Sequence, residues 1–263
     1  MRLRFDDRLQ KYLFFFVIVW FLIIYSKMAI GIMPKGEINL GYIFYTFSYL
    51  FFFIIIPLIM AYAIPWEEEK DIKFDRREAK IACIYLGVLF LWDLLAGQLN
   101  IYYPRVLPVA SFHPARALYW FGFLFSVFLF VMIRKQSLKT IGTTTRNLGR
   151  SMVLMIIPFA YLLYTIFTSS SSPASLMVLA FAYLIVGIIE EFLYRGYPLF
   201  RLEPLGKGMA VLITGVLFAA IHGLVAFPFI LVPGLAWGLI FSKTRNILPL
   251  ILLHMFVDFA GVL

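Results

Sequence analysis

The chain has 263 residues, of which 63% are hydrophobic and only 14% are charged, and its formal net charge is +9. Together with a mean hydropathy of +0.92, this composition excludes an ordinary soluble globular protein and indicates a polytopic membrane protein. No polar stretch is longer than about 20 residues, which excludes a separate soluble domain because even small domains need roughly 50. The positive charge therefore reports membrane topology and gives no indication of nucleic-acid binding.

Apolar segments near membrane-spanning length recur along the whole chain, so we predict an all-α fold with about nine transmembrane helices. The predicted spans cover about residues 12–33, 40–64, 81–96, 117–133, 151–168, 175–199, 209–227, 229–242 and 246–263. We interpret the first span as an uncleaved anchor, because Asp6 and Asp7 precede it and no clear cleavage site follows. The eighth span is short, about 14 residues, and a broken or re-entrant helix is the alternative there.

The segments that connect the predicted spans are alternately rich and poor in Lys and Arg. Of the 23 Lys and Arg residues, 18 fall in the N-terminal segment and the even-numbered connections, three in the other connections, and two, Lys27 and Arg195, within spans. The positive-inside rule then predicts that the N-terminus is inside and the C-terminus outside. A missed or invented helix would scramble this alternation, so it also supports the number of spans.

The sixth predicted span contains two adjacent carboxylates near its end, in the stretch Ile188-Ile-Glu190-Glu191-Phe-Leu-Tyr-Arg195-Gly. Ionisable groups at membrane depth are costly and rare, so each is a candidate functional residue. On a helix, Glu191 and Arg195 stack at i,i+4 in the orientation that favours an ion pair. Glu190 points about 100° away from Glu191. The pattern predicts that Arg195 neutralises Glu191 and leaves Glu190 free to act as a general base.

Two histidines also lie within predicted spans, His222 in Phe218-Ala-Ala-Ile-His222 and His254 in His254-Met-Phe-Val-Asp258. At a rise of 1.5 Å per residue, Glu190, His222 and His254 lie at depths of roughly 15, 20 and 12 Å from the inner face. They therefore share one layer of the membrane. From the residues alone, a catalytic site, a structural polar network and a proton or ion pathway all remain open.

Signatures of other intramembrane hydrolases are missing from the sequence. There is no H-E-x-x-H zinc helix, no G-x-S-x-G nucleophile elbow and no Gly-Asp pair typical of an aspartyl-type site. An enzyme of this sequence would therefore use glutamate and histidine chemistry.

Three motifs in order resemble those of a known family, the CAAX-protease and bacteriocin-processing (CPBP) family of intramembrane proteases, which includes the type II CAAX prenyl endopeptidases. They are E-E-x-x-x-R at 190–195, F-x-x-x-H at 218–222 and H-x-x-x-D at 254–258. The glycine-containing segment 234–238 is similar to the helix that precedes the last motif. The resemblance covers about residues 152–263 and does not extend to the first four spans.

The resemblance implies roles for the motif residues. Glu190 would be the general base, His222 would bind and orient the attacking water, and His254 with Asp258 would stabilise the oxyanion. Glu191 and Arg195 complete the first motif and are candidate site residues with these four.

Asp258 is a departure from the family pattern, because Asn is commoner at this position. An amide donates a hydrogen bond, whereas an ionised carboxylate only accepts, so Asp258 would donate only when protonated. Otherwise it would orient His254 or join a metal site with Glu190, His222 and His254. We favour chemistry without a cofactor, with zinc as the alternative.

The sequence thus predicts an intramembrane endopeptidase of the cytoplasmic membrane. Residues 1–150 form four spans and a basic linker, and residues 151–263 form the catalytic core. The expected partners are the lipid bilayer and a membrane-associated protein or peptide substrate; prenylated substrates are implied only by the resemblance. The alternatives are a non-catalytic immunity or regulatory membrane protein of the same fold, and a transporter with an intramembrane Glu/His network.

Overall fold

The computed structural model describes residues 3–31, 48, 51–67, 74–98 and 114–260. All regular structure within them is helical and none is strand, which confirms the all-α prediction. The start of the second predicted span, 40–47, and the last residues, 261–263, lie outside the described part. The α-helices are α1 (Arg8–Gly31), α2 (Ile56–Ala63), α3 (Arg76–Gln98), α4 (Pro114–Ile133), α5 (Leu148–Val153), α6 (Ile156–Thr168), α7 (Pro173–Glu191), α8 (Pro198–Leu202), α9 (Lys207–Ile221), α10 (Phe227–Thr244) and α11 (Leu248–Ala260).

In the described ranges, two π-helical turns interrupt the apolar helices, and each lies just before a proline. The turn Phe51–Ile55 precedes Pro57 in α2, and the turn Phe192–Gly196 precedes Pro198 in α8. A proline has no N–H to donate, and its ring clashes with the carbonyl four residues earlier. The preceding turn therefore widens, as Tyr197 N donates to Phe192 O at 2.9 Å, five residues back. The second of these turns contains the end of the glutamate motif.

Two described helical stretches, Pro173–Leu205 and Phe227–Thr244, are long and apolar enough to cross a membrane. Shorter apolar helical segments are Phe51–Ala63, Leu124–Ile133 within α4, Ile156–Thr168, Lys207–Ile221 and Leu248–Ala260. Large apolar side chains also cover the outer surface, among them Phe167 at 83% exposed and Met177 at 74%. Such a surface is typical of helices that face lipid. Helix length alone leaves the count of nine spans open.

The eighth predicted span is a continuous helix. α10 runs over 18 residues although Pro233 lies inside it, so the break that the sequence analysis allowed for is absent. The helix begins earlier than predicted, at Phe227, where a proline near its first position is tolerated because that N–H has no helical partner. The fifth predicted span, in contrast, is divided into α5 and α6 by a turn at Leu154 and Met155.

The basic segments that alternate along the chain meet at one end of the helical bundle, which we call the inner end. Ion pairs connect them across long sequence separations. These pairs are Asp6 with Lys207 and Lys243, Glu67 with Arg146, Glu78 with Arg134 and Arg201, and Glu203 with Arg245. The five segments predicted to be inside therefore share one side of the molecule.

The N-terminal segment joins the inner ends of α9 and α10. Asp7 Oδ2 accepts a hydrogen bond from Gly208 N at 2.9 Å, and Asp6 lies 2.7 Å from Lys243 Nζ. Burial by itself would raise the pKa of Asp6, but the hydrogen bonds and charges of Lys243 and Lys207 outweigh it and hold the pKa below 3.8, its ordinary value. These contacts therefore persist at neutral pH, and their stabilising contribution is lost only as the pH falls through that lowered pKa.

Close contact between α9 and α10 depends on small residues. A Cβ at Gly234 would lie 2.8 Å from Gly215 O, and one at Gly238 would lie 3.1 Å from Val211. The two helices can approach this closely only because a glycine faces the partner at each position. The pair 234 and 238 therefore has the packing role typical of a small-x-x-x-small pattern.

Candidate active site

The glutamate motif lies where α7 passes into the π-helical turn. Glu190 and Glu191 are the last residues of α7, and Arg195 lies in the turn. Glu191 and Arg195 are completely buried, and Glu190 is 8% exposed. Because an uncompensated buried charge is strongly unfavourable, these two carboxylates and this guanidinium require partners.

Glu191 accepts hydrogen bonds from two directions. Arg195 Nη1 lies 2.9 Å from Glu191 Oε1, which is the ion pair expected from the i,i+4 spacing. His254 Nδ1 lies 2.8 Å from the same oxygen. The second contact joins α7 to α11 across 63 residues and was not predicted. Glu191 thus neutralises Arg195. It also sets the ring orientation of His254, because the nitrogen that donates to the carboxylate must be a protonated Nδ1.

Arg195 is enclosed by aromatic rings and by the backbone of α10. Its guanidinium carbon lies 3.9 Å from the ring centre of Phe218 and 5.8 Å from that of Trp237. Its Nη2 donates to Gly234 O at 3.4 Å. A guanidinium on an aromatic face is stabilised by the ring quadrupole, and more so when water is excluded. The first residue of the F-x-x-x-H motif therefore supports the arginine of the glutamate motif.

Glu190 faces both histidines without a direct hydrogen bond to either. Its Oε2 lies 3.9 Å from His222 Nε2 and 3.6 Å from His254 Nε2. This oxygen is buried and has no hydrogen-bond partner in the described part of the chain. Polar groups separated by slightly more than a hydrogen bond are often joined by a water molecule. Glu191 Oε2 also lacks a partner, but of the two motif carboxylates it is Glu190 whose unpartnered oxygen faces both imidazoles.

His222 follows the last residue of α9, so the helix ends earlier than the predicted span 209–227. His222 Nδ1 lies 2.7 Å from Phe218 O, and a carbonyl oxygen can only accept, so Nδ1 carries the proton. In the neutral ring, Nε2 is then an acceptor directed at Glu190. The side chain is 30% exposed. It is more accessible than His254, the other imidazole beside Glu190 Oε2, whose side chain is 5% exposed.

His254 is positioned by its neighbours on three helices. A Cβ at Gly187 would lie 2.9 Å from Ile251 O, so the glycine allows α11 to lie against α7. The indole of Trp237 packs on the imidazole with ring centres 4.8 Å apart. Asp258 Oδ2 lies 3.5 Å from His254 Nε2, one turn along α11. Contacts from α7, α10 and α11 therefore leave the imidazole little freedom.

The structure brings all six sequence-derived site residues together: Glu190, Glu191, Arg195, His222, His254 and Asp258. Sequence reasoning missed the supporting roles of Gly187, Phe218 and Trp237. Gly187 carried a signal, because it precedes Glu191 by one helical turn on the same face. Trp237 carried a weaker one, since it lies between the two glycines of α10.

Zinc would find its usual ligand types here, imidazole nitrogens and carboxylate oxygens. In the described part of the chain, however, no three or more His, Cys, Asp or Glu side chains are arranged to hold a metal ion.

Comparison with known proteins gave one family. Residues 170–260 match the family model described as type II CAAX prenyl endopeptidase Rce1-like. The match includes all six site residues and confirms the resemblance over that part of the chain, although it begins later than the expected 152. No curated protein and no solved structure matches the chain. The family match and the apolar helices together support a membrane protein.

Proposed function

We propose that this protein, which over residues 170–260 is a relative of the type II CAAX prenyl endopeptidases, is an intramembrane endopeptidase acting on membrane-associated proteins or peptides. One observation carries the proposal: the unpartnered, buried Oε2 of Glu190 faces a ring nitrogen of His222 and one of His254. Peptide hydrolysis needs a base, a bound water and a donor for the oxyanion. These three groups supply one function each.

The attacking water belongs between Glu190 and His222. Glu190 Oε2 and the deprotonated Nε2 of His222 are both acceptors, so they cannot bond to each other across 3.9 Å. A water donating one hydrogen to each joins them. Glu190 takes one proton as the water oxygen adds to the carbonyl carbon, and it returns that proton to the nitrogen when the C–N bond breaks.

His254 is the donor for the oxyanion. Its Nδ1–H is held by Glu191, and we assign a proton to Nε2 as well, because the surrounding carboxylates stabilise the imidazolium. Nε2 lies 3.5 Å from Asp258 and 3.6 Å from Glu190, so neither bond is short enough to hold its hydrogen tightly. It is therefore free to donate to the negative oxygen that develops on the substrate, where such donors lower the barrier most.

Replacing Asp258 by Asn tests whether a metal takes part. With the metal-free chemistry proposed here, Asp258→Asn keeps substantial activity, because an amide orients His254 and adds a donor. With a metal site, the same change removes a ligand and lowers metal affinity. The measurements are the cleavage rate of the purified variant, its metal content, and the effect of a chelator on the parent protein. One bound metal per chain together with loss of activity on chelation contradicts the metal-free proposal.

We propose that the chain crosses the membrane nine times, with the N-terminus in the cytoplasm. The clustering of Asp6, Glu67, Arg146, Glu203 and their partners at the inner end supports it, because the positive-inside rule assigns the same segments to one side. Reporters fused after Arg76 and after Arg146 should read as cytoplasmic, and one fused after Leu263 as external. A cytoplasmic reading after Leu263 contradicts an odd number of spans.

A comparison of membrane proteomes tests the function itself. Cells with the parent protein should contain new peptide ends that are absent with Glu190→Gln, at equal amounts of the two proteins. If the new ends are the same in both, the chain is not a Glu190-dependent protease. The non-catalytic regulatory protein of the same fold then becomes the better description, provided that the cellular effect of the chain also survives the substitution.

A further inference from the structure

A cavity of about 670 Å³ lies at the inner end of the bundle and is lined by none of the six site residues. One wall is a face of α3, with Arg76, Lys80, Cys83 and Ile84, and the opposite wall is the turn after α8, with Leu205. The four α3 residues share a face because they are spaced by three or four positions or by multiples of a turn. Their chemistry changes along the helix from cationic to apolar.

Within the described part of the chain, the cationic part of the cavity has no counter-charge. Arg76 and Lys80 are exposed, and no carboxylate of the described residues forms an ion pair with either. The described acids nearest to these cations in the sequence, Asp75 and Glu78, are engaged elsewhere. Glu78 contacts Arg134 and Arg201, and Asp75 Oδ1 accepts hydrogen bonds from the backbone at the start of α3. Among the described residues, Arg76 and Lys80 therefore have no acidic partner and face an anionic ligand as two cations.

The apolar part of the cavity faces outward. Ile84 is 67% exposed and Leu205 is 45% exposed. A free phosphate or another small anion would leave these side chains uncovered. A molecule with an anionic head and a hydrocarbon tail covers both parts, and it fits the direction of α3, which starts at the inner end and runs into the apolar layer.

We propose that this cavity binds an anionic phospholipid of the inner leaflet. Its phosphate lies between Arg76 and Lys80, and an acyl chain runs along Ile84 and Leu205. Basic residues at the cytoplasmic surface attract anionic lipids in general, and here the cavity adds a defined place for one chain. The site is separate from the proposed proteolysis, so its test does not depend on protease activity.

Cys83 gives a direct readout, because it is exposed in this cavity and is the chain's single cysteine. The experiment measures the rate at which a maleimide labels Cys83 in detergent-solubilised protein. The probes are phosphatidylglycerol and phosphatidylcholine with the same acyl chains, and inorganic phosphate alone. Phosphatidylglycerol at ten times its Kd should slow labelling about tenfold, because only about a tenth of the protein is then without bound lipid. Phosphatidylcholine and phosphate should slow it far less.

The variant Arg76→Gln/Lys80→Gln should lose the protection by phosphatidylglycerol. Arg77→Gln/Lys139→Gln is the matched control, since it removes the same charge from two exposed residues that do not line the cavity. It should keep the protection. Melting temperatures of both variants verify that each is folded.

Three results contradict the proposal. Equal protection by phosphatidylglycerol and phosphatidylcholine means that the anionic head group has no role in binding. Equal loss of protection in both double variants means that only the overall charge matters. Protection by inorganic phosphate as strong as that by phosphatidylglycerol shows a simple anion site in which the acyl chain has no part.

Discussion

Replacing Glu190 by Gln is expected to lower the cleavage rate by roughly 10²–10⁴-fold, the usual effect of losing a general base. The amide has the same size and bonding capacity, but it cannot take the proton of the attacking water. Its effect on the fold should be small, because Glu190 Oε2 has no hydrogen-bond partner in the described part of the chain. Initial cleavage rates and melting temperatures are measured on the same preparations.

The control for this variant is Glu67→Gln. Glu67 is also a carboxylate near basic groups, Arg146 and Arg150, but its side chain is 53% exposed at the inner end. The cleavage rate of Glu67→Gln should equal that of the parent protein. A Glu190→Gln protein that keeps more than about a tenth of the parent rate argues against the base assignment, since even weak general-base catalysis contributes more.

Glu191→Gln is expected to damage the fold as well as the activity. Glu191 and Arg195 are both fully buried, and the substitution leaves the guanidinium without a counter-charge. Breaking a buried pair in this way costs about 3–5 kcal/mol of the free energy of unfolding. The contact with His254 Nδ1 also weakens, so the oxyanion donor loses its orientation. The expected result is a lower melting temperature, poor accumulation and loss of cleavage.

A second substitution separates charge from packing. Glu191→Gln with Arg195→Met should recover stability relative to Glu191→Gln alone, because no lone charge remains in the interior. Glu67→Gln is also the control for stability: its pairs with Arg146 and Arg150 lie at the inner end and are exposed, where ion pairs contribute only about 0–1 kcal/mol. If Glu190→Gln is the unstable variant and Glu191→Gln the folded inactive one, the roles of the two glutamates are reversed.

These expectations assign the two adjacent carboxylates to different tasks. Glu191 holds Arg195 and orients His254, whereas Glu190 keeps an oxygen free beside two imidazoles. The helix geometry is the reason, because neighbouring residues point about 100° apart and so face different partners.

The sequence by itself determined the features that depend on local spacing. The all-α fold followed from apolar segments of spanning length, the pairing of Glu191 with Arg195 from one helical turn, and the common depth of Glu190, His222 and His254 from counting residues. It also indicated the family, since three motifs in order are specific.

The sequence predicts the local backbone geometry at prolines only in part. Pro198 signals a disturbed helix, but a kink, a break and a π turn all relieve the same clash. The surrounding packing selects the π turn at Phe192–Gly196, and this turn determines where Arg195 points. The start of α10 was likewise misplaced, because Pro228 is compatible with either a break or a first helical turn.

Only the tertiary structure decided the contacts between distant helices. His254 reaches Glu191 across 63 residues, and Gly187 and Trp237 hold it there. The direction of each side chain around its helix axis depends on how the helices are rotated and packed. Residue spacing within one helix contains no information about that rotation, since it is set by close packing of all the neighbouring side chains at once.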